Sequence, residues 1–183
     1  MIAAIDLGGT RTKFGLVQAG RVVSSSNCPA DAQGSLATHL NEVLTRLRAL
    51  CDEQHTSIAA CEGLGVLSTG LVNSQAMRVM GTNGKYDDAV DFDFVGWAQQ
   101  QASLELRLEN DARGALIGEW RYGAGRGADN LVMMTIGTGI GTAVISEARV
   151  LTGPHFTAGN LGGHILVRSG GRACTCGGGG GLE

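Results

Sequence analysis

The chain has little proline, few aromatics and no excess of positive charge: 2 Pro in 183 residues, 4% Phe, Trp and Tyr, and 14 basic against 17 acidic side chains, for a net charge of −3. Without a basic surplus it lacks the electrostatic footprint of a nucleic-acid binder or of a protein drawn to anionic membranes. No run approaches the roughly eighteen consecutive apolar residues that a membrane-spanning helix needs. The opening Met1-Ile2-Ala3-Ala4-Ile5-Asp6 has no basic leader region, so the cytoplasm is the expected compartment. Cysteine is sparse and odd in number. Cys28, Cys51 and Cys61 are scattered, while Cys174 and Cys176 form a close pair. That pattern does not suit the framework of a small secreted disulfide protein, and it reads instead as reduced thiols with a metal-type pair at the end.

What is abundant is glycine, at 30 residues with no G-X-Y period, so the glycines serve local turns rather than a collagen helix. With 43% apolar and 17% charged residues, the length suits one good-sized domain or two small ones. Residues 2–5 read as a buried strand that stops at Asp6-Leu7-Gly8-Gly9-Thr10, and 12–17 and 21–25 come next as strands joined by Ala19-Gly20. Over 35–51, Leu36, Leu40, Val43, Leu44, Leu47 and Leu50 recur at helical spacing. A fourth strand is expected over 61–67, then an irregular stretch to Asp93 and a helix carrying Phe94, Trp97 and Ala98. Leu104, Leu106 and Leu108 alternate as a fifth strand, which delivers Glu109-Asn110-Asp111 at its carboxyl end. A helix over 112–122, a glycine-rich surface loop over 123–129, an apolar strand over 131–136 and another over 142–145 complete the pattern, with a loop-like tail from Gly159. Trp97 and Trp120 read as packing residues, His39 and His55 as exposed, and Lys85, Arg121 and Arg126 as solvated.

Two glycine/threonine turns lie between apolar strands. In the first, Gly8 and Gly9 let backbone N–H groups approach a phosphate, Thr10 offers a hydroxyl, and Asp6 a carboxylate suited to hydrated Mg²⁺, with Lys13 nearby. Gly137-Thr138-Gly139-Ile140-Gly141 supplies the same chemistry again. Neither fits the P-loop or the dinucleotide fingerprint, and together they predict a nucleotide clamp. Asp111, at a strand terminus, can receive the proton of an attacking hydroxyl. It can equally cap the helix that begins at Ala112.

Taken in order, Asp6-Leu7-Gly8-Gly9-Thr10, Glu109-Asn110-Asp111, Thr135-Ile136-Gly137-Thr138-Gly139-Ile140-Gly141 and His164…Cys174-x-Cys176-Gly177 resemble the ROK (repressor, open reading frame, kinase) family, over the whole of the chain. The resemblance implies an actin-like ATPase (ribonuclease H-like) α/β fold. On that reading 1–110 is an N-terminal lobe with the first phosphate loop, nearly complete, and 111–183 is part of a second lobe with the other. It also implies the N-terminal portion of a sugar kinase, ending within or just after the zinc motif, that transfers phosphoryl from Mg·ATP to a hexose 6-hydroxyl. The alternative is a non-catalytic sugar binder or a regulator remnant without its DNA-binding domain.

By the same resemblance Asp111 is the general base. Asn83, Asn110, His164 and Glu183 face the sugar, with Asn160, beside a departure from the family pattern, able to hydrogen-bond a sugar hydroxyl; Gly8, Gly9, Thr10, Gly137, Thr138 and Gly139 hold phosphates, and Asp6 stands near the metal. His164, Cys174 and Cys176 match three of the four family zinc ligands, and Gly181 occupies the place of the remaining cysteine. Leu161 stands where the family places a sugar-binding glutamate. Apolar surface left open by a partial second lobe implies completion by another chain, such as a second copy in a homo-oligomer.

Overall fold

The computed structural model describes residues 1–137, 139–174 and 176–182. β1 (Ile2–Leu7) buries Ala3, Ile5 and Leu7 on one face and runs antiparallel to β2 (Arg11–Gln18), which pairs with β3 (Arg21–Pro29). The β2–β3 link turns through Ala19 and Gly20, both at positive φ. β3 extends beyond the expected 21–25 because pairing with β2 carries it on to Pro29.

α1 (Leu36–Glu53) begins at Ser35, whose hydroxyl accepts the Thr38 N–H. Its apolar stripe is buried as the spacing demands, with Leu36, Leu40, Val43, Leu44 and Leu47 essentially inaccessible. Each such leucine contributes about 1.5–3 kcal/mol of transfer free energy. One neighbour departs from expectation: His39 is buried, because it lies beside the stripe and its ring nitrogen meets the buried Thr12 hydroxyl at 2.7 Å.

β4 (Gly63–Ser68) runs parallel to β1. The expected irregular stretch contains a short hairpin, β5 (Leu71–Asn73) with β6 (Arg78–Gly81), whose turn is tied by the Asn73 side chain accepting the Gln75 and Ala76 N–H groups. α2 (Phe94–Ala102) is capped by Asp93 and buries Phe94, Trp97 and Ala98. β7 (Leu106–Asn110) then joins β4 in parallel, giving a five-stranded sheet in the order β3-β2-β1-β4-β7.

Residues Met1–Asp111 form one compact unit and Ala112–Glu183 a second. The second unit contains all but the first residue of α3 (Asp111–Tyr122) and a three-stranded sheet with β9 (Ile140–Ser146) between β8 (Leu131–Ile136) and β10 (Arg149–Val150). Its small core is Ala112, Leu116, Ala143 and Ile145, flanked by Trp120, Leu131 and Met133. No helix among the described residues is long and apolar enough to cross a membrane.

Candidate active site

In the first unit, β1, β4 and β7 are parallel and in register, so Leu7, Ser68 and Asn110 lie in one row across the sheet. The residues just beyond each strand therefore emerge at the same edge. From β1 comes the turn 8–10 and from β7 comes Asp111. This is where ligands of α/β sheets gather, beyond the carboxyl ends of parallel strands.

The turn is shaped by close approach. The Gly8 N–H donates to the Asp6 carbonyl at 3.0 Å, and a Cβ on Gly8 would sit 2.5 Å from the Arg11 carbonyl oxygen. Asp6 is half-buried, with Oδ2 3.6 Å from the exposed Lys13 Nζ. Thr10 is exposed, and its carbonyl accepts the Ala30 N–H, which pins the turn to the end of β3. A carboxylate at this strand end suits Mg²⁺ held through water.

At the end of β7, two strands across from β1, Asn110 is buried. Its Nδ2 donates at 2.9 Å both to the Gly70 carbonyl and to Asp111 Oδ1, and its N–H donates to Glu109 Oε1 at 2.8 Å. The amide thus orients the half-buried carboxylate of Asp111. Asn83 is exposed, in a turn at 82–86.

Two residues in this unit carry more than the sequence pattern assigns them. Lys85 is half-buried rather than solvated, because its side chain lies along Gly9: a Cβ there would meet Lys85 Cε at 2.7 Å and Nζ at 2.8 Å. Tyr86 is buried, its hydroxyl donating to the Gly8 carbonyl at 3.2 Å and lying 3.4 Å from the Thr12 hydroxyl, with its ring stacked on His39. No local pattern marks either, since each meets a turn more than seventy positions earlier.

In the second unit Gly137 and Gly139 close the β8–β9 turn, the Gly137 N–H donating to the Gly139 carbonyl at 3.0 Å. Thr138 and Glu183, both expected ligands, lie outside the described residues. Arg113, also unmarked in the sequence, is fully buried and donates through Nη2 to the carbonyls of Phe156 at 2.8 Å and Ala158 at 3.2 Å, which fixes the loop leading to Asn160. The Asn160 Oδ1 is buried with no partner among the described residues, an acceptor suited to an O–H or N–H donor. Leu161, next to it, is exposed.

His164, Cys174 and Cys176 bring one ligand atom each within 4.8 Å of one another, and Cys174 Sγ lies 3.5 Å from His164 Nδ1. Hydrogen bonding from the Cys176 backbone and thiol, then from the His164 ring, stabilises the thiolate and brings Cys174 down to about 7. Two soft sulfurs and an imidazole suit zinc, but a closed structural site takes four protein ligands. A Cβ on Gly181 would lie 3.3 Å from the Gly163 carbonyl and 3.6 Å from the His164 Cα, so the residue beside the His164 backbone brings no donor. Among the described residues the donor set is three-quarters of a zinc centre.

A glycine turn and an oriented carboxylate at the ends of parallel strands mark an α/β protein, and its likeness to solved ROK sugar kinases gives it the actin-like ATPase fold. The chain belongs to the ROK family, whose family model matches residues 2–183. It is 30% identical over 98% of its length to a glucokinase of Halalkalibacterium halodurans, of which the match covers 54%. Among solved structures it resembles a ROK family glucokinase from Streptomyces griseus in complex with glucose and AMPPNP, with a TM-score of 0.79 at 27% identity over 98% of this chain and 55% of that one. It also resembles a ROK hexokinase from Thermus thermophilus, with a TM-score of 0.77 at 29% identity over 100% and 58%. The chain spans about half the length of the curated relatives it matches.

Proposed function

We propose that the chain is the catalytic-base-bearing portion of an ATP-dependent hexose kinase that transfers the γ-phosphoryl group of Mg·ATP to a sugar 6-hydroxyl. The observation that carries this reading is the shared sheet edge, where the Gly8–Gly9 turn and the Asn110-oriented Asp111 carboxylate emerge from parallel strands in register. The kinase names of its relatives support it over a sugar-binding regulator.

In this mechanism Asp111 accepts the proton of the attacking hydroxyl, and Asn110 fixes both the carboxylate and the sugar. Asn83, Asn160, His164 and Glu183 contribute further sugar contacts. The turns at Gly8 and Gly9 and at Gly137 and Gly139, with the Thr10 and Thr138 hydroxyls, bind phosphate oxygens, and Asp6 would hold Mg²⁺ through water. Little covalent chemistry is asked of the protein in phosphoryl transfer, so positioning and charge stabilisation supply the rate. Zinc on His164, Cys174 and Cys176 would order the 164–181 loop. A cytoplasmic location and self-association belong to the same reading.

The test is sugar-dependent ADP release with Mg·ATP and a panel of glucose, mannose, fructose, N-acetylglucosamine and N-acetylmannosamine, on this chain and on a form extended to the length of its relatives. Asp111→Asn in an active form should lower turnover by roughly 10²- to 10⁴-fold. Near-normal turnover in that variant would remove Asp111 as the base.

A further inference from the structure

The segment at 82–88 is tied to residues 32–36 by three hydrogen bonds, and from there Tyr86 and Lys85 reach the first phosphate turn. Gln33 Nε2 donates to the Gly84 carbonyl at 2.6 Å, the Tyr86 N–H donates to the Ala32 carbonyl at 2.7 Å, and Asp88 accepts the Leu36 N–H at 2.8 Å. Tyr86 adopts φ 54°, a left-handed conformation that costs a bulky residue strain, and its hydroxyl reaches the Gly8 carbonyl. Such strain persists only where the surroundings over-determine it. Here the bonds on both sides of Lys85 do so, and they hold its ammonium across Gly9.

Lys13 has Asp6 as its partner, whereas no carboxylate among the described residues lies within ion-pair distance of Lys85. An ammonium packed on Gly9, with no counter-ion among the described residues, lacks only an anion. We infer that Lys85 is a phosphate ligand of this site, donating to phosphoryl oxygens bound at the Gly8–Gly9 turn. The inference rests on the kinase reading and deepens it. The same chemistry fits the polyphosphate of a nucleotide or the phosphate of a phosphorylated sugar, and both would meet a cation here. It also accounts for the glycine at position 9, since any side chain there would displace the lysine.

Isothermal titration of the full chain with Mg·ATP, Mg·ADP, glucose 6-phosphate and glucose tests this, comparing the wild type with Lys85→Met and Lys85→Arg. Lys85→Met should weaken Mg·ATP binding roughly tenfold, the loss expected for one charge-assisted hydrogen bond. Lys85→Arg should keep most of the affinity, glucose binding should be unchanged, and the melting temperature should stay at the wild-type value. The salt dependence of Mg·ATP binding should also flatten in Lys85→Met. A parallel loss with Mg·ADP places Lys85 on the non-transferred phosphates, and a loss with glucose 6-phosphate but not Mg·ADP places it on the transferred one; either supports the assignment. Unchanged Mg·ATP affinity in Lys85→Met, or an equal loss for glucose, overturns it while leaving the kinase reading standing. Absence of nucleotide and sugar-phosphate binding both in the wild-type chain and in the form extended to the length of its relatives overturns both.

Discussion

At Cys51 the cost of burial falls on a single proton. Burial first, then the neighbouring Cys61, pushes this thiol from its ordinary 9.0 up to about 11. Above about pH 9 the unfolded chain has released a proton that the folded chain still holds, so stability should be intact below that pH and fall as pH rises toward 11, by of order 2 kcal/mol. Urea midpoints at about pH 8 and about pH 10.5 should differ more in the wild type than in Cys51→Ala; equal differences would show that the thiol does not carry the effect. Gly181 offers a second residue-scale prediction. Gly181→Cys places a thiol at the remaining cysteine position of the motif, beside the His164 backbone, and should raise zinc affinity roughly tenfold or more, read by competition with a chromophoric chelator. An unchanged affinity would mean that this position is not the missing ligand. Both residues are visible in the sequence, Cys51 at the end of a helical stripe and Gly181 by its place in the motif. Their energetics are not, because ionisation and coordination depend on what surrounds a side chain in space.

Among the elements, α1 shows how far periodicity reaches. The leucines at spacings of three and four are those that the structure buries, and Ser35 caps the helix at its expected start. Leu44→Ala should therefore cost about 2–5 kcal/mol, and Ser35→Ala about 1 kcal/mol, in chemical denaturation. A Leu44→Ala cost below about 1 kcal/mol would mean that the stripe is not the main core contact. Most strands are equally legible: β1 and β8 are apolar runs that stop at glycine, β7 alternates up to Asn110-Asp111, and β9 resumes the apolar pattern beyond Gly139. The β5–β6 hairpin is not, because its strands are short and its turn is stabilised by the Asn73 side chain rather than by a two-residue glycine turn. His39 and Lys85 fail as surface residues for a related reason. Their partners, Thr12 and Gly9, belong to the β1–β2 region and not to their own elements.

For the molecule as a whole, the two units differ in how much apolar surface they bury. The first has a core running from Ala3 to Leu108, with β1 paired on both sides, whereas the second has a four-residue core and an edge strand, β8, on which Val132 and Ile136 are 70% and 80% exposed. Opening free energy scales with buried contact, so amides of β8 should exchange with solvent well before those of β1 and β4 in a native-state hydrogen-exchange experiment. Simultaneous exchange would show that the units open as one. Most strands, the helices, the two glycine turns and Asp111 at a strand end were legible in the order of residues alone, because periodicity, capping and turn chemistry act within a few residues of chain. It took the folded chain to set Leu7, Ser68 and Asn110 along one edge, to close Tyr86 and Lys85 on the turn at Gly8 and Gly9, and to stand Gly181 beside His164. Most of those juxtapositions join residues far apart along the chain, and pairing at such separations is fixed by the sheet register and the packing that folding imposes.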